Sequence, residues 1–94
     1  MISPETRLSR NPQVVARELG ESEGGVLLHL ASGRYHGINP VGLTIWGLIE
    51  EGSTVADLID RLRDLVEDPP PSLETDVLEF LASVHERDLV IVER

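Results

Sequence analysis

The stretch RYHGINPVGLTIWGLIEEG, from Arg34 to Gly52, decides the fold because it joins a short strand directly to the most apolar helix of the chain. Asn39 stands where a helix N-cap is expected, and Pro40 follows at the first helical position, where its missing N–H costs no hydrogen bond. Gly52 is suited to the left-handed residue that follows a helix. The sequence therefore predicts a strand over residues 34–38 and a central helix that ends at Gly52.

This central helix is predicted to bury two of its sides. One apolar face is spaced at i, i+4, i+7 and i+8 and consists of Val41, Ile45, Leu48 and Ile49. Leu43 and Trp46 add apolar surface on another side, so we expect other elements to cover the helix from two directions. Trp46 is accordingly predicted to be a core residue.

Three strands are predicted in the first half, over residues 13–19, 26–31 and 34–38. A glycine-rich turn separates the first two, and the Ser32-Gly33 turn makes the last two an antiparallel hairpin. Residues 1–12 are polar and contain two prolines, so a flexible N-terminal arm is predicted there. Residues 13–94 are then expected to form a single domain, because a chain of 94 residues supplies one modest core.

Two further helices are predicted after the central one. Thr54 and Asp57 have the spacing of a capping box at the start of the second helix, and prolines 69–71 end it. Its apolar stripe is Val55, Leu58, Ile59, Leu62 and Leu65. The third helix follows Ser72 as a candidate N-cap, and its apolar face is Leu73, Val77, Phe80, Leu81 and Val84. The elements predict an α+β fold of winged helix-turn-helix type, in which a three-stranded antiparallel sheet precedes three helices.

The net charge of −9 lies entirely in residues 48–94, since residues 1–47 are neutral overall. In the third helix, acidic side chains would repel DNA phosphates, so nucleic acid is not an expected partner. The acidic half either favours a basic partner or only keeps the surface soluble. No apolar run is long enough for a membrane span and no signal peptide is evident, so a cytoplasmic protein without a membrane partner is predicted.

Residues for catalysis or metal binding do not form a recognisable pattern. The chain has no cysteine, and its three histidines lack metal-ligand spacing. The glycines fall inside a helix or before a strand, so no phosphate-binding loop is indicated. We therefore predict a protein that is not an enzyme and has no cofactor or metal.

The runs GRYHGINPVGLTIWGLIEEGSTVADLIDRL and ETDVLEFLASVHERDLV, which begin at Gly33 and Glu74, together resemble the PqqD-like proteins. The similarity extends over about residues 13–92, and only the whole set of motifs is specific. Ile38 departs from the leucine that is commoner in the family, in the same apolar role. Within the family, the Arg34-Tyr35 strand and the Trp46 helix look most like the stand-alone leader-binding proteins of lasso-peptide clusters.

This resemblance implies a function in peptide recognition. Such proteins hold the leader of a ribosomally made precursor and deliver it to a leader peptidase and a cyclase. The family places the leader as an added strand beside the third strand, in a cleft against the third helix. The peptide-binding residues that it implies here are Arg34, Tyr35, His36, Gly37, Ile38, Asp76, Val77, Phe80, Leu81 and Val84.

Several points stay open at this stage. Phe80, Leu81 and Val84 either floor the cleft or belong to the core, and Asp76 either caps its helix or meets a basic leader residue. Alternative functions are a PqqD-type chaperone for another peptide-modifying pathway, such as that of a radical enzyme, and a dimeric winged-helix transcription regulator.

Overall fold

The chain forms six strands and three helices over the residues that the structure, a computed structural model, describes: 2–20, 23–49 and 52–93. In chain order the elements are β1 (Arg7–Arg10), β2 (Val14–Gly20), β3 (Gly24–His29), β4 (Arg34–Ile38), α1 (Pro40–Leu48), β5 (Ser53–Thr54), α2 (Val55–Leu65), α3 (Leu73–Glu86) and β6 (Val90–Glu93). The predicted α+β order of a three-stranded antiparallel sheet followed by three helices is confirmed.

Helix α1 begins as predicted and ends earlier. The Asn39 side chain accepts a hydrogen bond from the Gly42 N–H at 2.7 Å, with Pro40 in the first turn. Ile49 already has an extended backbone, so the helix stops at Leu48 and not at Gly52. Residues 50 and 51 of the predicted helix lie outside the described residues.

The predicted buried face of α1 is only partly correct. Ile45, Trp46 and Ile49 are each at most 3% exposed, whereas Val41 is 56% exposed. Val41 lies in the first turn and lines a surface pocket, described below, instead of the core.

Strands β2, β3 and β4 form an antiparallel meander with β3 in the middle. Its inner face carries Leu27, which is fully buried, and His29. Helix α1 packs on this sheet, and Gly25 gives it room: a Cβ there would lie 3.2 Å from the Leu43 side chain. Residues 21 and 22 of the predicted turn lie outside the described residues.

A second antiparallel sheet, in the order β5-β1-β6, replaces the predicted flexible arm. Leu8 in β1 is 0% exposed, and β1 pairs with both β5 and β6. The Asn11 side chain donates to the Asp88 carbonyl at 2.8 Å and accepts from the Gln13 N–H at 2.9 Å. Residues 7–11 are thus part of the folded structure, because a strand far along the chain supplies the hydrogen-bond partners that the sequence pattern does not reveal.

Helices α2 and α3 complete the core. The Thr54–Asp57 capping box is present, and the first four residues of the predicted α2 stripe are buried, while Leu65 is exposed. Ser72 does not cap α3 with its side chain, which donates instead to the Asp76 carboxylate at 3.0 Å. Asp88, with a φ of 62°, then turns the chain from α3 into β6.

Candidate functional site

Strand β4 forms one edge of the meander sheet. It pairs with β3 in the register Gly25↔Ile38 to His29↔Arg34, and no other strand among the described residues pairs with its far side. A strand in this position presents unpaired N–H and C=O groups to any extended chain that comes alongside. The prediction that residues 34–38 form an edge strand therefore agrees with the observed topology.

The direction of these backbone groups follows from β3. The Leu30 N–H donates to the Gln13 carbonyl at 2.7 Å, so Leu30 bonds towards β2. Alternation along β3 then directs residues 25, 27 and 29 towards β4, and the His29 carbonyl indeed accepts from the Gly33 N–H on that side. Their partners in β4 bond inwards, which leaves the outward N–H and C=O groups at Tyr35 and Gly37.

The side chains of β4 divide between the two faces of the sheet. Arg34 and His36 lie on the face towards α3, in a depression shared with Arg87. Tyr35 is 74% exposed and lies on the opposite face. Tyr35 thus offers its backbone, and not its ring, to a chain that occupies the cleft.

Helix α3, the first turn of α1 and the end of α2 line an open surface pocket of about 610 Å³, which we call the apolar pocket. Phe80 is half-buried on one side of it, and Val41 lies on the other. Asp76 and Glu79 are the carboxylates in its lining. The volume is sufficient for one or two large apolar side chains of a ligand.

The shape of the apolar pocket depends on Gly42. A Cβ at this position would lie 2.8 Å from Cε1 of Phe80 and 3.2 Å from the Asn39 Oδ1 that caps α1. Glycine therefore lets the Phe80 ring lie directly against the first turn of α1. Sequence analysis missed this residue, because a glycine inside a predicted helix carries no sign of what approaches it.

The other predicted α3 residues lie deeper. Val77, Leu81 and Val84 are each at most 1% exposed and belong to the core cluster. Val77 still contributes to the pocket lining, whereas Leu81 and Val84 do not. The exposed side of α3 that follows Phe80 carries Ser83 and then Arg87, which sequence analysis did not select.

A second depression, which we call the cationic notch, lies at the other end of the cleft. Its lining consists of His29, Ala31, Ser32, Arg34, His36, Glu86, Arg87 and Asp88. The pKa of His36 is lowered by partial burial and by the positive charges of Arg87 and Arg34. The Asp88 carboxylate is 3.2 Å from Nε2 of His29, so it is already engaged.

The pocket and the notch follow each other along α3. The pocket is lined by α3 residues between 73 and 83 and by Asn39 just after β4, and the notch by residues 86–88 and the start of β4. Helix and edge strand therefore run in opposite directions along one cleft. An extended chain beside β4 would pass the notch, and it would reach the pocket where it continues beyond Ile38 to Asn39.

Other chemistry is not indicated by the part of the chain that the structure describes. It holds no cluster of three or more metal-ligating side chains. Within the same residues, no helix has the length and apolar character to cross a membrane.

Comparison with known proteins gives a family match. The sequence profile of a family described as "Coenzyme PQQ synthesis protein D (PqqD)" matches residues 24–90, which include β4, α1, α2 and α3. Curated protein sequences gave no match.

Three solved structures are similar. "TbiB1 in Complex with the TbiA(beta) Leader Peptide" is 32% identical at a TM-score of 0.71, with 87% of this chain and 93% of that chain covered. "Lasso peptide synthetase B1 complexed with the leader peptide" is 23% identical at a TM-score of 0.69, covering 89% and 96%. The PqqD truncation of Methylobacterium extorquens PqqCD, described as a stand-alone RiPP recognition element, is 20% identical at a TM-score of 0.77, covering 100% and 96%. Because the last two structures are less than 25% identical to this chain, they show a similarity of fold alone.

Proposed function

Because the chain belongs to the PqqD family, we propose that it binds the leader peptide of a ribosomally made precursor by strand addition along β4. It then presents the precursor to a leader peptidase and a cyclase of lasso-peptide biosynthesis in the cytoplasm, without catalysing a reaction itself. The observation that carries this proposal is the unpaired edge of β4 beside a cleft with an apolar pocket. The 32% identical structure, solved with a leader peptide, supports leader binding, and the choice of the lasso-peptide pathway over a radical-enzyme pathway rests on the resemblance of the Arg34-Tyr35 strand and the Trp46 helix.

In this binding mode, backbone groups of β4 and side chains of the pocket contact different parts of the leader. The outward N–H and C=O groups of Tyr35 and Gly37 would hold the leader as a fourth strand. An apolar leader side chain would enter the pocket against Phe80 and Val41. Asp76 and Glu79 at the pocket rim favour a basic leader residue at this end, which is the basic character that the net charge suggests.

A regulator of transcription is the less favoured alternative. The exposed positions of α3 include Glu74, Asp76, Glu79 and Glu86, which would face DNA phosphates in a major-groove docking. We expect no gel shift of random duplex DNA at physiological salt. A retarded band at micromolar protein would support the regulator instead.

Substitutions at Gly37 test strand addition. A Cβ there meets no atom within 4 Å, so both Gly37→Ala and Gly37→Pro should fold. Proline removes the outward N–H, whereas alanine keeps it, so only Gly37→Pro should lose affinity, by about tenfold or more. His36→Pro should instead destabilise the domain, because the His36 N–H bonds inwards to β3.

The measurement is a fluorescence-anisotropy titration with the synthetic leader of the precursor encoded beside this protein's gene, together with thermal melting of each variant. Wild-type affinity in a folded Gly37→Pro variant would exclude pairing along β4. Delivery is a separate measurement: the neighbouring peptidase should cleave the full precursor faster when this protein is added. An unchanged rate with intact leader binding would remove the delivery step alone.

A further inference from the structure

The cationic notch brings two arginines into one depression of a protein whose net charge is negative. Arg34 and His36 come from strand β4, and Arg87 is the C-cap residue of α3. These groups meet although the chain has a net charge of −9. The sequence hides this arrangement, because Arg34 and Arg87 are more than fifty positions apart.

The two arginines are not neutralised within the described residues. Over 2–20, 23–49 and 52–93, neither Arg34 nor Arg87 has a carboxylate oxygen within 4.0 Å. The notch lining contains two carboxylates, of which Asp88 is bonded to His29 at 3.2 Å. The other, Glu86, is exposed and adjacent in sequence to Arg87. Partial burial first, and then the charges of Arg87 and Arg34, lower the pKa of His36, which places both guanidinium groups near its ring.

We propose, resting on the proposed function, that the cationic notch binds the carboxylate of an acidic residue in the leader. Guanidinium groups suit this role because their planar donors match the two oxygens of a carboxylate. The notch lies at the Arg34 end of β4 and the apolar pocket at the Ile38 end. A strand rises about 3.3 Å per residue, so the acidic residue should lie roughly four or five positions from the side chain in the pocket.

This arrangement gives the cleft a direction. Asp76 and Glu79 place carboxylates at the pocket end, while Arg34 and Arg87 place guanidinium groups without a carboxylate partner among the described residues at the notch end. A leader with a basic residue at one end and an acidic residue at the other fits in one orientation only. Charge order would therefore fix the direction in which the leader lies along β4.

Charge reversal at Arg87 tests the inference with the same synthetic leader. Arg87→Glu should weaken binding by about tenfold, since it removes an attraction and adds a repulsion. Arg63→Glu is the matched control, because Arg63 is exposed on α2 outside both depressions and the change in net charge is identical. Arg87→Gln is a milder second variant, and thermal melting verifies that each variant folds.

The leader is varied in parallel. Each acidic residue is changed singly to Gln, and one of these changes should weaken binding to the wild type by about three- to fivefold while leaving Arg87→Glu unaffected. Changing that acidic residue to Arg should restore part of the affinity of Arg87→Glu. This reciprocal rescue would assign the contact to the notch.

The outcomes separate the two proposals. A leader that does not bind the wild type at all overturns the proposed function, and this inference with it. A leader that binds, yet is insensitive to every acidic-to-Gln change, overturns the inference alone. An equal loss in Arg63→Glu and Arg87→Glu also overturns it, because general charge would then be the cause.

Discussion

The two sheets of this protein have three antiparallel strands each and differ in how deeply their residues are buried. The β5-β1-β6 sheet joins the start of the chain to its end and carries Leu8 and Val90, both at most 1% exposed. In the β2-β3-β4 sheet, the outer strand β4 has no fully buried residue, and its Arg34 and His36 side chains line the notch. The β5-β1-β6 sheet, which we call the closing sheet, completes the core, and the other sheet carries the strand along which we propose that the leader binds.

This difference separates stability from recognition. Substitutions in the closing sheet should lower the free energy of unfolding and affect binding only through folding. Substitutions along the β4 cleft should affect binding with smaller effects on folding. The following predictions test this separation, beginning with the largest effect.

The contribution of the closing sheet to stability is tested by truncating one leucine in each of the two sheets. Leu8→Ala should lower the free energy of unfolding by about 2–5 kcal/mol, because Leu8 is fully buried. Leu19→Ala, in β2 at 56% exposure, should change it by less than about 0.5 kcal/mol. Urea denaturation of both variants measures the difference. Similar values for both would mean that the N-terminal residues do behave as the flexible arm that the sequence suggests.

The β2-β3-β4 sheet and the starts of α1 and α2 were predictable because their signals are local. Asn39-Pro40 and the Thr54–Asp57 pair carry their hydrogen bonds within three or four residues. The closing sheet was not predictable, because β1 is a short polar segment whose partner lies at the other end of the chain: the Ser9 hydroxyl donates to Glu93 at 2.9 Å. Such pairings depend on tertiary packing and leave little trace in periodicity.

Helix α3 contains both kinds of residue side by side, which gives the second prediction. Leu81→Ala should cost about 2–5 kcal/mol of stability, because its side chain is 0% exposed in the core. Phe80 is half-buried at the pocket, so Phe80→Ala should cost less than the about 3–5 kcal/mol of a fully buried Phe. Phe80→Ala should nevertheless lose leader affinity by more than about tenfold. Denaturation and anisotropy on both variants decide, and the reverse order would place the cleft on the Leu81 side of the helix.

The candidate site was predictable only as far as chain order allows. Its edge strand follows from the order of the strands, since the last strand of a meander lies at an edge. The sequence does not show which side of α3 faces the core. The helix has four neighbouring apolar residues, Val77, Phe80, Leu81 and Val84, and the pattern does not tell which of them stays at the surface. Packing decides that Phe80 reaches the surface, and it brings Arg87 to the notch, where an isolated arginine gives no signal in the sequence.

The two glycines of α1 give a third, smaller effect. Gly42→Ala should displace the Phe80 ring and weaken leader binding by about three- to tenfold, because a Cβ there would lie 2.8 Å from the ring. Gly47→Ala meets no atom within 4 Å and should leave binding unchanged, while it stabilises the helix by about 0.5–1 kcal/mol. Thermal melting and leader titration of Gly42→Ala and Gly47→Ala distinguish an effect on the shape of the pocket from an effect on helix propensity. Equal binding by both variants would remove the Gly42–Phe80 contact from the site.

The smallest predicted effect is a pH dependence of stability at the cleft. The charged groups around the His36 ring are Arg34, His29, Glu86, Arg87 and Asp88. Partial burial and the nearby cations lower the His36 pKa below its ordinary value of 6.5 in the folded state. As the pH falls, the unfolded chain therefore takes up this proton first, so the contribution of His36 to stability is complete above pH 6.5 and is lost as the pH falls through the folded-state pKa.

The matched variant is His36→Gln, which keeps a polar side chain and cannot take up a proton. Urea denaturation at pH 7.5 and at pH 5.5 should show a larger loss of stability in the wild type than in His36→Gln. Because the carboxylates are common to both proteins, only the difference between the two losses reports on His36. A loss that is equal in both proteins, or larger in the variant, would contradict a lowered pKa of His36. The expected result would mean that partial burial of this imidazole beside two arginines costs the folded state stability once the ring is protonated, so the β2-β3-β4 sheet, unlike the closing sheet, keeps a group at the cleft at some cost to folding.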